Sequence, residues 1–394
     1  MNDISTFGDR LRQARKERGL TQEQLAERCG ITPGFISRLE RGEDNPGMST
    51  VIKLAAALGI TTSRLLDNRE RLQDAGRNSG IIGLRNVLLT ATGLRGLEAP
   101  ADRPPVPLAE LEHAVRQGWH LYWQGRFGDL AVLLEDLIPA ARATERETVA
   151  AARPLAQAFQ LAADLLVHCG SDDLAFSTAR RGVRAADRGD DPLQYAALGG
   201  TLSWAALHQG RLEEAERIAL SAAELIRPDG QAPMAALTVH GALLLSAAAP
   251  AAARGDRDAA TGYLAEARVV SLRFTEGDRR DYELNFGPVQ VAMQEAHALS
   301  VLRDPDRALT AAKRVRRPAL MPISWGAHLL DVAQARLDKG DTGGAADALL
   351  EAFGVSPEWA RSQGLWRDAS ARTVTRARLG SQKVRKLARV AGMR

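Results

Sequence analysis

The chain has 394 residues, 45% of them hydrophobic and 25% charged, with a formal net charge of +4. That is an ordinary globular composition, and the length points to roughly two or three domains. Two cysteines, Cys29 and Cys169, exclude a disulfide framework or a zinc site and read as buried thiols acting as small hydrophobes. Alanine is abundant, aromatics make up 5%, and strand-like alternation is hard to find, so the expected fold class is all-α.

The N-terminal stretch "MNDISTFGDRLRQARKERG" has no apolar signal-like core, and the expected compartment is the cytoplasm. Residues 1–67 read as five short helices. The first places Phe7, Leu11 and Ala14 on one face. "TQEQLAERCG" opens on a Thr21…Gln24 capping pattern, turns Leu25 and Ala26 inward and stops at Gly30. "ITPGFISRLERG" restarts with Thr32 as cap and Pro33 at the first helical position, turns Ile36 and Leu39 inward, and stops at Gly42. "MSTVIKLAAALGI" and "TTSRLLD" supply the last two helices, with Ile52, Leu54, Ala55 and Leu58 closing the core. Two helices across a tight glycine turn, with a polar outer face on the second, form a helix-turn-helix. Its second helix suits the major groove.

The combination "LTQEQLA", "ISRLERG" and "LAAALGI" resembles the phage-repressor-like (XRE or Cro-type) DNA-binding domains over Phe7 to Leu66. The resemblance implies a sequence-specific transcriptional regulator that binds double-stranded DNA. It assigns Gln22 to a phosphate, and Thr32, Pro33, Gly34, Ser37 and Arg38 to base reading and groove lining. Arg38 is the natural bidentate reader of guanine. Arg41 and the loop near Asn45 would hold the DNA backbone, and Arg15 and Glu40 match a partly buried ion pair. Pro33 and Gly34 stand where relatives often carry amides or hydroxyls, which favours Pro33 touching a thymine methyl. Heads of this kind bind palindromic operators as dimers, so a homodimer is expected. Residues 1–70 carry 11 Lys/Arg against 10 Asp/Glu, so positive charge here is arranged rather than abundant.

Residues 68–107 read as a linker with one short helix near Ile81–Ala91, followed by a Gly- and Pro-rich stretch. Over residues 108–366 the chain repeats. Turn positions fall at Gly125, Gly170, Gly210, Gly255, Arg303 and Gly340, spaced 45, 40, 45, 48 and 37 residues apart, and an alanine stands five residues past most of them. A helix pair alone cannot bury its apolar stripe, so such pairs stack. The segments resemble tetratricopeptide-type repeats, best in "ALGGTLSWAALHQGRLEEAERIALSAAELIRP". The uncharged run from Met234 to Ala253 has the length of a membrane span. It is mostly alanine with His240 and Pro250 inside, and reads as a buried helix kinked at Pro250, with no membrane expected.

In a helix-pair solenoid the first helix of each pair lines the concave side. The inward places, about six and three residues before each turn, hold Trp119 and Tyr122 with Trp123 beside them; Asp164, Val167 and then His168; Trp204 with His208; His297; and Gln334. Such a groove suits a peptide, a small-molecule effector or a protein partner. The plainer alternative is that Trp119, Trp123 and Trp204 are packing aromatics and the histidines ordinary helix residues. Regulators that join these two modules are known as peptide sensors, and the resemblance implies that kind of mechanism. Residues 367–394 carry nine Lys/Arg and one acid, Asp368, and read as a basic capping helix or tail. No phosphate-binding loop, HExxH, GxSxG or clustered Cys/His set is present, so no enzyme, cofactor or metal is expected. The alternative function is an interaction scaffold in which DNA binding is secondary.

Overall fold

The computed structural model describes residues 6–44, 46, 48–66, 79–90, 104–317, 320–377 and 381–393. Asn45 and most of the 68–107 linker lie outside the described residues. The fold is all-α apart from one small hairpin.

The head comprises α1 (Phe7–Glu17), α2 (Gln22–Cys29), α3 (Pro33–Glu40), α4 (Met48–Leu58) and α5 (Thr62–Leu66). Its helix starts are written in the sequence. Thr6 and Asp9 cap α1 reciprocally, as Thr21 and Gln24 do for α2. The Thr32 hydroxyl accepts from Phe35 N, and Pro33 occupies the first position of α3. Gly30 turns the chain in the left-handed region at φ 63°. Phe7, Leu11, Leu25, Ile36, Leu39, Leu54 and Leu58 form the core. Ile52 does not join it. It packs on Leu212 and Ala253 of the repeat region, because that face of α4 rests on the solenoid.

α6 (Ser79–Leu89) buries Leu84 and Leu88 in the solenoid core. Six helix pairs follow: α7 (Leu108–Trp123) with α8 (Phe127–Glu147), α9 (Ala152–His168) with α10 (Asp172–Arg188), and α11 (Pro192–His208) with α12 (Leu212–Leu225). Then come α13 (Met234–Arg254) with α14 (Arg257–Ser271), α15 (Pro288–Val301) with α16 (Pro305–Ala312), and α17 (Pro322–Asp338) with α18 (Thr342–Val355). All six spaced turn positions are left-handed, with φ from 60° at Arg303 to 86° at Gly255. Ala175, Ala215, Ala260 and Ala345 are fully buried, and their small side chains allow each pair to close. α13 is the helix among the described residues long and apolar enough to span a membrane, and 78% of that stretch is buried between its neighbours. The helix runs on through Pro250.

Two features depart from the sequence reading. First, β1 (Arg279–Asp281) and β2 (Leu284–Phe286) form an antiparallel hairpin between α14 and α15. Its two turn residues, Tyr282 and Glu283, sit at φ 51° and 62°. Both being left-handed matches a type I′ turn, but without the Asn-Gly or Asp-Gly that normally announces one. Second, the solenoid closes on itself. α19 (Pro357–Ser362), α20 (Gly364–Ala377) and α21 (Gln382–Val390) cap its end. Ser356 Oγ donates to the Gly125 carbonyl at 3.1 Å, and Gly128 N donates to Glu358 Oε1 at 2.7 Å. A Cβ at Gly125 would lie 2.7 Å from Ser356 Oγ, so the glycine serves closure as well as the turn. The basic segment is therefore part of the packed end. Trp366, Val384 and Leu387 are core residues, and Arg372 is buried, donating to Gln334 Oε1 at 2.6 Å.

Candidate DNA-reading helix and solenoid cavity

The α3 surface is open where the motif would meet bases. Thr32, Pro33, Gly34, Arg38 and Arg41 are exposed, and Ser37 is half-buried. The Arg38 guanidinium lies 5.6 Å from the Phe35 ring centroid, and its Nε is 3.6 Å from the Asp44 carboxylate. Arg41 forks onto Glu43 with two contacts of 2.7 Å and donates to Ser37 Oγ at 2.5 Å. The Arg41 hydrogen bond holds the Glu43 carboxyl below its ordinary range. Each of these two arginines thus has an acid beside it, the half-buried Asp44 for Arg38 and the exposed Glu43 for Arg41.

Gln22 is engaged elsewhere. Its side-chain amide donates to Glu40 Oε2 at 2.8 Å. Glu40 has no exposed side-chain surface and receives Arg15 Nε at 2.5 Å and Nη2 at 2.9 Å. Burial opposes its charge, yet Arg15 and Gln22 hold the carboxyl below the usual carboxylate range. This bidentate pair ties α1 to the end of α3.

Closure of the solenoid makes the expected groove a cavity of about 440 Å³. Its lining comes from α7, α9, α11, α13, α15 and α17, joined by the hairpin, the α19–α20 corner and Ile52 of α4. Tyr122, Trp123, Asp164, Val167, His168, Trp204, His208 and His297 all reach it. Trp119 and Gln334 do not. Trp119 is buried beside Tyr122, and Gln334 bonds Asp338 and Arg372 at the capped end. One wall is a continuous aromatic arc. Ring centroids run from Trp123 to Tyr122 (5.0 Å), Tyr122 to His168 (5.7 Å), His168 to Trp204 (5.0 Å) and Trp204 to His208 (5.7 Å).

The polar groups in this cavity are strongly tuned. Gln363 Nε2 lies 3.1 Å from His168 Nδ1, and the Tyr122 hydroxyl 3.2 Å from its Nε2. Burial pushes His168 down to about 3 and His208 down to about 4, so both are neutral at physiological pH. Burial raises Asp164 to about 7 against the hydrogen bond from Thr201 at 2.9 Å. His297 Nδ1 pairs with Asp331 Oδ1 at 2.9 Å, and Asp331 holds that imidazole above its ordinary value against the effect of burial. Trp123 Nε1 donates to Glu283 at 2.9 Å.

Sequence reasoning missed His328, Asp331, Gln290, Gln294, Met293, Trp359 and Gln363 in this lining. A signal existed for some. The inward face recurs nine residues before a turn at Asp331, Gln294, Ser246 and Thr201, one helical step beyond the positions used. No such signal existed for Trp359 and Gln363, which arrive through closure.

The head rests on three consecutive pair turns. Thr62 Oγ1 donates to the His208 carbonyl at 2.8 Å, and Arg303 Nη2 donates to Thr50 Oγ1 at 3.3 Å. A Cβ at Gly210 would lie 3.0 Å from the backbone nitrogen of Ala56. Lys53 places its ammonium beside Gly255, where the carbonyl end of α13 favours a cation.

The helix-turn-helix family model matches residues 11–65. The immunity repressor protein of Bacillus phage phi105 is 38% identical over 124 residues, 28% of this chain and 86% of that protein. The HTH-type transcriptional regulator y4dJ of Sinorhizobium fredii is 41% identical over 59 residues, 15% of this chain and 77% of that protein. Bacillus thuringiensis PlcR, solved in complex with the peptide PapR7 and DNA, is 14% identical with a TM-score of 0.39, covering 78% of this chain and 92% of that chain. A likeness at that level carries no argument about function. The caps, the glycine turn and the open α3 surface, with relatives matched over most of their own length, place this chain in the helix-turn-helix family of DNA-binding transcriptional regulators.

Proposed function

We propose that the solenoid cavity is a sensory site and that its occupancy sets how the DNA-reading head is held. One observation carries this reading: the cavity and the head share a wall. Ile52 of α4 lines the cavity. So does His208, whose carbonyl holds Thr62 of α5. An effector that packs against these two residues contacts the docking joint directly. The head is fastened by two side-chain hydrogen bonds, a small apolar cluster of Ile52, Leu212 and Ala253, and the contact of α5 with α20. Such bonds contribute about 0.5–1.5 kcal/mol each. A ligand at a hundred times its Kd contributes about 2.7 kcal/mol to the state it prefers, which is enough to shift that balance.

In this reading Thr32, Pro33, Gly34, Ser37 and Arg38 face the bases. Gln22 through its backbone, Arg41 and Asn45 hold phosphates. Two chains bind one palindromic operator, with half-sites about one helical turn apart. DNA displaces Asp44 and Glu43 from Arg38 and Arg41; the Arg41–Glu43 pair is exposed on both sides and costs little to open, and Arg38 is exposed on its side of the other.

The test is selection of duplexes from a random pool by the full chain, followed by gel shifts with the winners. Arg38→Ala is expected to weaken the selected duplex about 5- to 150-fold, corresponding to about 1–3 kcal/mol, and to relax one base position. An Arg38→Ala protein that keeps parental affinity and selectivity rules out the base-reading role. Selected duplexes without two-fold symmetry rule out the dimer.

A further inference from the structure

The chemistry of the cavity says what kind of effector it takes. This inference rests on the sensory reading and adds the ligand class. Charge comes first. Three carboxyl groups line the cavity, Asp164 hydrogen-bonded to Thr201, Glu283 facing Arg280 and Asp331 facing His297, and no lysine or arginine lines it among the described residues. Arg280, whose guanidinium lies 5.9 Å from the Trp123 ring centroid, pairs with Glu283 at 3.4 Å. The histidines add little positive charge. His168 and His208 stay neutral, and His297 is matched by Asp331. An isolated anion in such a place has no countercharge and would carry the full desolvation penalty.

The second observation is unspent hydrogen bonding. Gln290 Oε1, His328 Nδ1 and Trp359 Nε1, an acceptor, a tautomer-dependent nitrogen and a donor, are buried atoms with no hydrogen-bond partner on residues that line the cavity. Their residues are 9%, 2% and 1% exposed. Buried polar groups are ordinarily satisfied, so an unpartnered acceptor in a cavity wall marks where a ligand donor sits. Gln290 and His328 project from α15 and α17, the helices that also carry His297 and Asp331.

Shape is the third. The aromatic arc from Trp123 to His208 offers flat surfaces that bind rings by stacking and cations through the π-face. Ile52, Leu207, Ala253 and Val301 make the end against the head apolar. The volume suits a small molecule.

We propose that the cavity binds a small aromatic amine. The ring lies along the Tyr122–His168–Trp204 arc, and the nitrogen donates toward Gln290 and the Asp331 carboxylate. Carboxylate- and phosphate-bearing molecules, including a peptide held by its free C-terminus, are refused.

Matched pairs of probes test this on the full chain: tryptamine against indole-3-acetate, phenethylamine against phenylacetate, histamine against imidazole-4-acetate. Binding is read by ligand-observed NMR and by the shift of the thermal midpoint. At least one amine is expected to bind at millimolar Kd or better and to exceed its acid partner at least fivefold. Trp204→Ala should remove that binding, and Gln290→Leu should weaken it about tenfold. Acids that bind as well as their amine partners overturn the proposal, as does failure of all six probes at 10 mM. DNA affinity measured with the best probe separates the two readings. Amine binding that leaves DNA affinity unchanged keeps the ligand class and sinks the sensory role. An acid that binds and alters DNA affinity does the reverse.

Discussion

The head and the cavity touch at α4, yet they solve opposite problems. The α3 surface is open, with Arg38 and Arg41 beside acids that a polyanion can displace. The cavity is recessed but partly open, lined by carboxyl groups and imidazoles, with no lysine or arginine among its described lining residues. The head is held by one aliphatic core and a buried ion pair, whereas the solenoid is held by alanine-rich helix contacts and an aromatic arc. The difference teaches that one chain presents two surfaces of opposite make-up, one with exposed arginines and one whose described lining has carboxyl groups and no lysine or arginine. Among the described residues they are joined by α4 and α5 on three pair turns and by the contact of α5 with α20.

The sharpest way to break that contrast is Glu40→Ala. It leaves the Arg15 guanidinium against the head core without its anion, a change that costs about 3–5 kcal/mol. Hydrogen exchange should show α1 to α3 losing protection while α9 to α13 keep theirs. Equal loss in both would mean a single cooperative unit rather than two.

A smaller effect isolates the joint. Gly210→Ala and Gly340→Ala each place a Cβ at φ 80°, a left-handed cost of about 1–2 kcal/mol. At Gly340 the added carbon meets nothing within 4 Å, whereas at Gly210 it meets the Ala56 backbone at 3.0 Å. Only Gly210→Ala should speed exchange in α4 and α5. If both variants do so, or neither does, the turns are not the docking platform.

The mildest contrast is in pH. Burial depresses His168 to about 3 and His208 to about 4, so the unfolded chain binds more protons than the folded one below about 6.5. The solenoid should therefore lose stability as pH falls from about 6.5 toward 3, and His168→Gln should flatten that limb. Asp164 has the opposite sign. Raised to about 7, it binds its proton more tightly when folded, so its contribution fades as pH rises from about 4 to 7. Asp164→Asn should remove that decline. The head should hold out to lower pH than the solenoid, because Glu40 is held below the ordinary carboxylate range. Its contribution is present above the unfolded value near 4.3 and goes only as pH drops through the folded one. Thermal midpoints and site-resolved exchange from pH 4 to 8 check all three signs.

What could be read in advance follows the range of the interaction. Thr21 with Gln24, Thr32 with Pro33, and Gly30 act within four residues, so the head was legible down to its caps. The left-handed turn at Arg303 was legible despite its residue type, because its neighbours in the repeat fixed the position. Ile52 was misassigned because an apolar residue on a helix face does not say which partner covers that face. The turn at Tyr282 and Glu283 carries no Asn-Gly or Asp-Gly, so the hairpin left no mark.

The sequence by itself determined an all-α chain, a helix-turn-helix with its caps, six pair turns and the inward faces of the repeats. Those are local periodicities and backbone preferences, set within a few residues of each position. Only the tertiary structure decided that Ser356 meets Gly125, that four of the seven scattered histidines share one cavity, and that Thr62 of the head sits on the His208 carbonyl. Each of those contacts depends on small rotations summed over six stacked pairs. No window of the sequence contains that sum.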